Sequence, residues 1–457
     1  MTSRTKGNVQ VKARSTPHAK KAVGRPKIAA RNGVLRAVLG NGLTVLLKEN
    51  HNAPVATFWA WYRVGSRHER SGVTGISHCV EHMLFKGTKT FPKAAVDTLV
   101  SREGGVWNGM TWLDFTTYFE TLPASKIDLA LRIESDRMSN ALFTPREVES
   151  ERTVIISERQ GSENSPTFHL GEVLQATAFL VHGYHHETIG HLCDLQSMTR
   201  DDLYGHYRTY YAPNNCVAVA VGAFERQEML ARIAKAFGKL KPGPALPDIG
   251  SVEPEQRGER RVMVEGDGTT SYINVAYRAP EARHADFPAL VVLDAILTGA
   301  SGLSLFGGGT TNASSRLYRA LVDTELASDV SGGLVPTHDP YLYTFGATVR
   351  QGRSPAEVEA ALDAELKAIA NQPPSQSEVD KAIRQAKSQF AYGSESVTNQ
   401  GFWYGFSEMF ADYRWFESYL DRLSQVTVDD LHRVAQIYLT KRCRTVGYYV
   451  PALKAEG

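Results

Sequence analysis

Apolar residues along this chain recur at two spacings, and each spacing predicts a different kind of element. Between residues 144 and 159 they follow a helical interval, with Thr144 as the N-cap and Glu147 as the residue that completes a capping box. Residues 116–119 alternate as in a strand. Asn41-Gly42 between two apolar runs is typical of a hairpin turn. The chain therefore mixes helices and strands.

A second pattern repeats over a long distance. Residues 199–203 (TRDDL) are echoed by residues 427–431 (TVDDL), which begin 427 − 199 = 228 positions later. In both places a helix, a tyrosine or tyrosine pair and an apolar strand follow, at 216–221 and at 443–450. We therefore predict an α+β fold of two structurally similar halves, each a mixed, mostly antiparallel sheet with helices packed on one face.

The length of 457 residues indicates at least two domains. We predict a disordered basic N-terminal tail at 1–33 and a first, catalytic half at 34–240. A linker rich in Pro, Gly and charge follows at 241–262, and a non-catalytic second half occupies 263–457. No apolar stretch is long and clean enough to predict a membrane span.

Composition is that of an ordinary globular protein, with 42% hydrophobic and 22% charged residues. Lys and Arg number eleven in residues 1–48, and no acidic residue precedes Glu49. This segment is read as a solvated tail, with a nucleic-acid arm or an organelle transit segment as open alternatives. The rest of the chain is near neutral, so nucleic acid is not expected as a partner. Four scattered cysteines favour a reducing compartment, and the expected location is cytoplasmic, with organelle targeting left open.

Candidate chemistry is concentrated in the run His78-Cys79-Val80-Glu81-His82. On a helix His78, Glu81 and His82 share one face. Two neutral imidazoles one turn apart can bind one Zn²⁺ beside a carboxylate. The order H-x-x-E-H is the inverted form of a common zinc-protease signature. Ser77 or Thr74 is expected to cap this helix.

Hydrolytic zinc needs three protein ligands and one open position, so a third ligand is expected elsewhere. Glu151 and Glu158 lie seven residues apart, two turns along one face of the helix predicted at 144–159. One of them can bind the metal while the other orients a histidine from behind. Spacing alone leaves open which does which, and a solvated helix face is the ordinary alternative for either residue.

Residues 75–88 (GISHCVEHMLFKGT) resemble the most characteristic stretch of the zinc metallopeptidases that include pitrilysin, insulin-degrading enzyme and the mitochondrial processing peptidase. In that family a Glu 76 residues after the second His binds zinc, and an acidic residue seven positions earlier supports the site. The resemblance implies one Zn²⁺ per chain, with His78, His82 and Glu158 as ligands, Glu81 as general base and Glu151 as the supporting residue.

Residues 104–111 (GGVWNGMT) also resemble the family, in which the strand here pairs with an extended substrate. The resemblance implies that Asn108, Gly109, Met110 and Thr111 contact the bound peptide. Without it, the same residues predict only an ordinary edge strand after a glycine turn.

The second half departs from the family pattern. An Arg and a Tyr that act on the substrate carbonyl are replaced here by Val322 and Ser328. We therefore expect a partner of similar fold that lacks the zinc motif and supplies both groups, with a homodimer as the other possibility. The glycine-rich segment 299–309 loosely resembles a substrate-capture loop of the non-catalytic chain of the processing peptidase, and otherwise indicates a flexible loop.

These observations predict a subunit of a zinc-dependent endopeptidase that cleaves extended or unfolded peptides. Two alternatives stay open. One is a non-catalytic structural or assembly subunit of peptidase ancestry, similar to the core subunits of the respiratory bc1 complex. The other is a peptidase dedicated to maturing one modified peptide. Because such structural subunits usually lose zinc ligands, the presence of all three ligands and the base favours catalysis.

Overall fold

The structure, a computed structural model, describes residues 27–31, 33–300 and 313–452. The glycine-rich segment 299–309 and the tail 1–33 therefore lie mostly outside the described residues. Residues 27–31 form a strand that pairs antiparallel with residues 34–38. These five residues fall at the end of the predicted tail, and Gly33, with φ 75°, permits the tight turn that leads into the next strand.

The first half alternates strands and helices around one sheet. Its elements are β1 (Lys27–Arg31), β2 (Val34–Val38), β3 (Thr44–Glu49), β4 (Val55–Tyr62), α1 (Ile76–Met83), α2 (Ala95–Arg102), β5 (Val106–Thr111), β6 (Thr116–Pro123), α3 (Asp128–Asn140), α4 (Pro145–Glu163), α5 (Pro166–Ala178), α6 (Leu192–Ser197), α7 (Arg200–Tyr210), β7 (Cys216–Gly222) and α8 (Arg226–Phe237).

The second half follows the same plan with fewer strands. Its elements are β8 (Arg260–Gly266), β9 (Tyr272–Ala279), α9 (Phe287–Leu297), a π-helical turn (Tyr318–Val322), β10 (Ala327–Leu334), β11 (Tyr341–Val349), α10 (Pro355–Asn371), α11 (Gln376–Tyr392), α12 (Val397–Phe410), α13 (Arg414–Ser424), α14 (Val428–Tyr438) and β12 (Arg444–Pro451).

The two sheets share one strand order. Within the described residues the first sheet runs β1-β2-β3-β7-β4-β6-β5 and the second runs β10-β11-β9-β12-β8. Read backwards, the second order matches the last five strands of the first, and in each sheet one parallel pair, β3–β7 or β12–β8, joins otherwise antiparallel strands. The prediction of two similar α+β halves with mixed sheets is confirmed.

The sequence repeat has a structural counterpart at the start of α7 and α14. Thr199 caps α7 in a capping box with Asp202, and Thr427 caps α14 in the same way with Asp430. In a capping box, each side chain bonds the other residue's backbone N–H. The repeated T-x-x-D motif therefore marks the same helix start in both halves.

Each half also packs one helix against the sheet of the other half. α5 lies on β8, β9 and β12, while α12 lies on β4 and β7. On α12, Gly401 and Gly405 meet Trp59 and Trp61 of β4, and an added Cβ would come within 2.6 and 1.9 Å of the two indole rings. The outward face of each sheet is thus covered by the opposite half.

α9 follows β9 as α1 follows β4, so it occupies the place in the second half that α1 holds in the first. All eleven of its residues are buried. Its one charged side chain, Asp294, accepts hydrogen bonds from Thr298 and Tyr343. This helix has no metal-binding histidine.

The connection between the halves is docked onto both of them. The carboxylate of Glu253 accepts hydrogen bonds from the backbone N–H groups of residues 180–182, and Gln256 donates to the carbonyl of Arg444. β8 begins at Arg260 because it pairs with β12, so the last three residues of the predicted linker 241–262 belong to the sheet. Along the described ranges, no helix is long and apolar enough to span a bilayer.

Candidate metal centre

Helix α1 presents His78, Glu81 and His82, and a carboxylate from the loop before it holds its start. Glu69 accepts hydrogen bonds from the backbone N–H groups of Gly75 and Ser77, at 2.7 and 2.8 Å. The expected caps, Ser77 or Thr74, do not cap the helix with their side chains, since the Thr74 hydroxyl donates to Asp194. Gly75, the N-cap residue at φ 86°, has no side chain to cap the helix, and the preceding loop supplies the acceptor through Glu69.

Helix α4 presents Glu151 and Glu158. Thr144 caps it, accepting from the backbone N–H of Glu147, as predicted. The expected return bond from the Glu147 side chain is replaced by an ion pair with Lys93 at 2.8 Å. An opposite charge in reach outcompetes the local backbone group for this carboxylate.

Arg159, the neighbour of Glu158, fixes α4 against the rest of the first half. Its side chain donates to the carbonyl of Gly190 at 2.6 Å and to both oxygens of Glu172 at 2.9 and 3.1 Å. Paired bonds of this kind hold a guanidinium in one orientation. Glu158 therefore projects from a rigid helix, a restraint for which the sequence offers no local signal.

His78, His82 and Glu158 converge on one point. The Nε2 atoms of His82 and His78 lie 3.6 and 3.9 Å from Oε2 of Glu158. In the described part of the chain, this is the one group of at least three such side chains with its ligand atoms within 4.8 Å of one another. Tetrahedral zinc places its ligand atoms roughly 3.4 Å apart, so this donor set fits zinc with little movement.

The two histidines differ in their surroundings. Burial, together with the neighbouring His82, lowers the pKa of His78 to about 3, which keeps that imidazole neutral and able to bind a metal. Burial also acts to lower the pKa of His82, but its hydrogen bond to Glu151 and the charges of Glu81 and Glu158 raise it above its usual value.

Glu151 lies behind His82 rather than beside the ligand atoms. Its Oε1 is 3.0 Å from Nδ1 of His82, and its Oε2 pairs with Lys86. Because a carboxylate accepts hydrogen bonds, this contact favours a proton on Nδ1 and leaves Nε2 as the nitrogen that can bind a metal. The role of Lys86 was not anticipated, although it stands four residues after His82.

Glu81 is only 7% exposed and lies against the strand β5. Burial raises its pKa to about 7, although hydrogen bonds from the hydroxyl and backbone N–H of Thr111 and the charge of His82 offset part of this effect. A carboxylate with such a pKa is suited to exchanging protons near neutral pH.

Strand β5 forms the outer edge of the first sheet, since it pairs with β6 alone. Asn108 is exposed, and its side-chain oxygen accepts the backbone N–H of Gly109. At Gly109 an added Cβ would come within 3.0 Å of the rings of Phe85 and Tyr118. Contact of residues 108–111 with a peptide remains a prediction, and no other strand of the described ranges pairs with the free side of β5.

The positions where the family carries Arg and Tyr lie in the second half. Val322 ends the π-helical turn, and Ser328 is exposed on β10, the strand equivalent to β5. Neither side chain offers a cationic or phenolic donor. At these two positions the chain therefore lacks the Arg and Tyr that the family resemblance implies.

Two family models cover most of the chain. Residues 44–191 match the model described as insulinase (peptidase family M16), and residues 197–386 match the model described as peptidase M16 inactive domain. The first match contains His78, Glu81, His82 and Glu158.

Individual proteins are similar to this chain over two thirds or more of its length. The zinc protease PqqE of Helicobacter pylori is 30% identical over 429 residues, which span 90% of this chain and 92% of that protein. The probable mitochondrial-processing peptidase subunit beta of Arabidopsis thaliana is 29% identical over 313 residues, 67% of this chain and 58% of that protein. The crystal structure of a protease from Helicobacter pylori superposes with a TM-score of 0.86 at 28% identity, covering 93% and 100% of the two chains.

Proposed function

Because the chain belongs to peptidase family M16, the insulinase family, we propose that it is the zinc-bearing subunit of an endopeptidase that cleaves extended or unfolded peptides. The observation that carries this proposal is the convergence of His78, His82 and Glu158 beside the buried carboxylate of Glu81. The family membership alone leaves open whether this chain is active.

Each residue of the site has a task in the proposed reaction. Zinc held by the two imidazoles and Glu158 would polarise the scissile carbonyl and acidify a water molecule. Glu81 takes a proton from the attacking water and passes it to the departing amine. Thr111 holds the Glu81 carboxylate, and the open edge of β5 aligns the peptide as an added strand.

The site needs a donor for the oxyanion that develops on the carbonyl. Such a donor is worth about 3 to 4 kcal/mol, and neither Val322 nor Ser328 matches the Arg and Tyr of the family. The proposed assembly is therefore a heterodimer with a similar chain that lacks the zinc motif, with a homodimer as the other arrangement. The Arabidopsis relative is itself named as a subunit.

A mixing experiment tests the divided site. The chain is purified alone and with a candidate partner, its zinc content is measured, and unfolded peptides are offered to each sample. Zinc binding by the lone chain with cleavage only after mixing supports the proposal. Full activity of the lone chain contradicts the need for a partner, and zinc binding without cleavage in any mixture favours a non-catalytic subunit.

Replacing the proposed base separates chemistry from metal binding. We expect Glu81→Gln to retain zinc and to lower peptide cleavage by about 100-fold or more, because the amide cannot take a proton. Zinc content and kcat are measured on the active assembly. Glu149→Gln, on the exposed face of α4, is the control and should behave as wild type. Normal turnover by the Glu81 variant would refute the assignment.

A further inference from the structure

We propose that Lys86 is a positioning residue for the metal centre, which acts through Glu151 to fix the ring of His82. This inference rests on the proposed function, since it concerns zinc binding at the same site. It adds a residue that neither the motif nor its spacing identifies.

The contacts form a continuous chain. The ammonium of Lys86 pairs with Oε2 of Glu151, whose Oε1 lies 3.0 Å from Nδ1 of His82. On the far side of that ring, Nε2 lies 3.6 Å from Glu158. Lys86, Glu151, His82 and Glu158 thus follow one another to the point where the ligand atoms meet.

Lys86 is well placed to restrain Glu151. The side chains of Lys86 and Glu151 are 18% and 6% exposed, so water competes little for either group. A glutamate side chain has three rotatable bonds, and a bond to His82 alone would leave Oε2 free to move. With both oxygens engaged, the carboxylate keeps one orientation and presents Oε1 to the imidazole N–H.

The turn after α1 sets the reach of Lys86. The backbone N–H of Lys86 donates to the carbonyl of Met83, so the chain makes one further turn after the end of α1. In this turn the Lys86 side chain points towards α4 and reaches Glu151, which His82 also contacts. Both side chains can therefore meet the same carboxylate on α4.

The protein contains a natural control for this pair. Lys93 and Glu147 also join the region after α1 to helix α4, at 2.8 Å, but Lys93 is 54% exposed and Glu147 contacts no metal-binding residue. Exposed pairs of this kind contribute little. Replacing Lys86 or Lys93 therefore removes the same chemical group, but only Lys86 is connected to His82 through its glutamate.

The experiment compares Lys86→Met, Lys93→Met and wild type in the full chain, with Lys86→Gln in parallel in case the Met variant does not fold. Zinc affinity is measured by competition with a chromophoric chelator. Ring-nitrogen NMR of the zinc-free protein reports which nitrogen of His82 carries the proton. We expect about 10- to 100-fold weaker zinc binding and a changed Nδ1 resonance of His82 for the Lys86 variants, as for the loss of other groups that support a ligand. Lys93→Met should match wild type within about twofold.

The background variant Glu151→Gln tests the route. If Lys86 acts through Glu151, the Lys86 change should weaken zinc binding little further in that background. An equal loss there, or unchanged affinity of the Lys86 variants in the wild-type background, would overturn this inference while leaving the proposed function intact. Failure of the folded wild-type chain to bind zinc would overturn both.

Discussion

The carboxylate of Glu81 owes its position to a neighbour on another element. Thr111, the last residue of β5, is its neighbour, and hydrogen bonding from the Thr111 hydroxyl and backbone N–H acts to lower the pKa of Glu81 that burial raises. Bonds to a charged acceptor are worth about 1.5 to 3 kcal/mol each. One residue thus connects the strand proposed to bind the peptide with the group proposed to move the proton.

Removing the Thr111 hydroxyl should slow turnover more than it weakens substrate binding. We expect Thr111→Val to lower kcat by about 10- to 100-fold, from the loss of one bond to a charged group, with a smaller change in KM and unchanged zinc content. Thr111→Ser keeps the hydroxyl and should retain most activity. Thr98→Val, whose hydroxyl bonds only its own helix, is the control. A kcat unaffected by the Val change would show that the backbone N–H suffices.

Among the elements, α12 depends most directly on a single residue type. Its glycines at 401 and 405 allow the helix backbone to rest on Trp59 and Trp61 of the opposite half. Elsewhere in the protein, glycine within a helix costs stability, because it gains the most freedom on unfolding. A Gly→Ala substitution should therefore change the free energy of unfolding in opposite directions on α12 and on a helix whose glycine has no such neighbour.

We expect Gly405→Ala to lower the free energy of unfolding by about 1 to 3 kcal/mol, since the new methyl group would overlap the indole of Trp61. Gly205→Ala on α7 meets no atom within 4 Å and should raise it by about 0.5 to 1 kcal/mol. Urea unfolding followed by circular dichroism measures both. A stabilised Gly405 variant would mean that α12 can move away from β4 without loss.

The carboxylate of Glu378 at the start of α11 should make the free energy of unfolding decrease at acid pH. Burial alone would raise the pKa of Glu378, but its bonds with Arg316 and with the Ser375 backbone and hydroxyl lower it to about 2. Since the folded pKa lies below the unfolded value of 4.5, this contribution is present above pH 4.5 and is lost as the pH falls towards 2.

Glu378→Gln tests that dependence. At pH 7 the free energy of unfolding of the variant should be about 1 kcal/mol below that of wild type, the usual contribution of a helix cap. This difference in free energy should be smaller at pH 3. Chemical unfolding at the two pH values gives the comparison. An equal gap at both would show that the charge of Glu378 contributes nothing.

At the scale of the whole molecule, the two halves are interlocked. α5 and α12 each cover the other half's sheet, and Arg67 pairs with Asp339 across the junction at 2.5 Å. The polypeptide that joins the halves is mostly exposed between residues 241 and 251. Covalent connection there contributes little to holding the halves together.

A cut in that connection should therefore leave the protein assembled. With a protease site inserted between residues 244 and 250, we expect the two fragments to co-elute on gel filtration after cleavage and to separate only in denaturant. The uncut protein run in parallel defines the reference volume. Separate elution without denaturant would show that the helix exchange is too weak to hold the halves.

The sequence predicted the features that depend on residues a few positions apart. His78, Glu81 and His82 follow from one helical turn, and the duplicated T-x-x-D motif marks α7 and α14. What it missed depends on particular turns and on packing: the cap that Glu69 provides, the anchor at Arg159, the pairing of residues 27–31 with the next strand, and the packing of α5 and α12 on the opposite half. Each of these contacts is determined by how the chain folds, and no sequence pattern identifies the contacting residue.

The burial of α9 has a consequence for anyone who would engineer this scaffold. In the first half the matching helix keeps one side open to water, while in the second every side is covered by neighbours. Transplanting the histidine pair there by substitution would place imidazoles in a dry interior with no path for a substrate. A reactive centre on α9 would therefore require that part of this covering be removed.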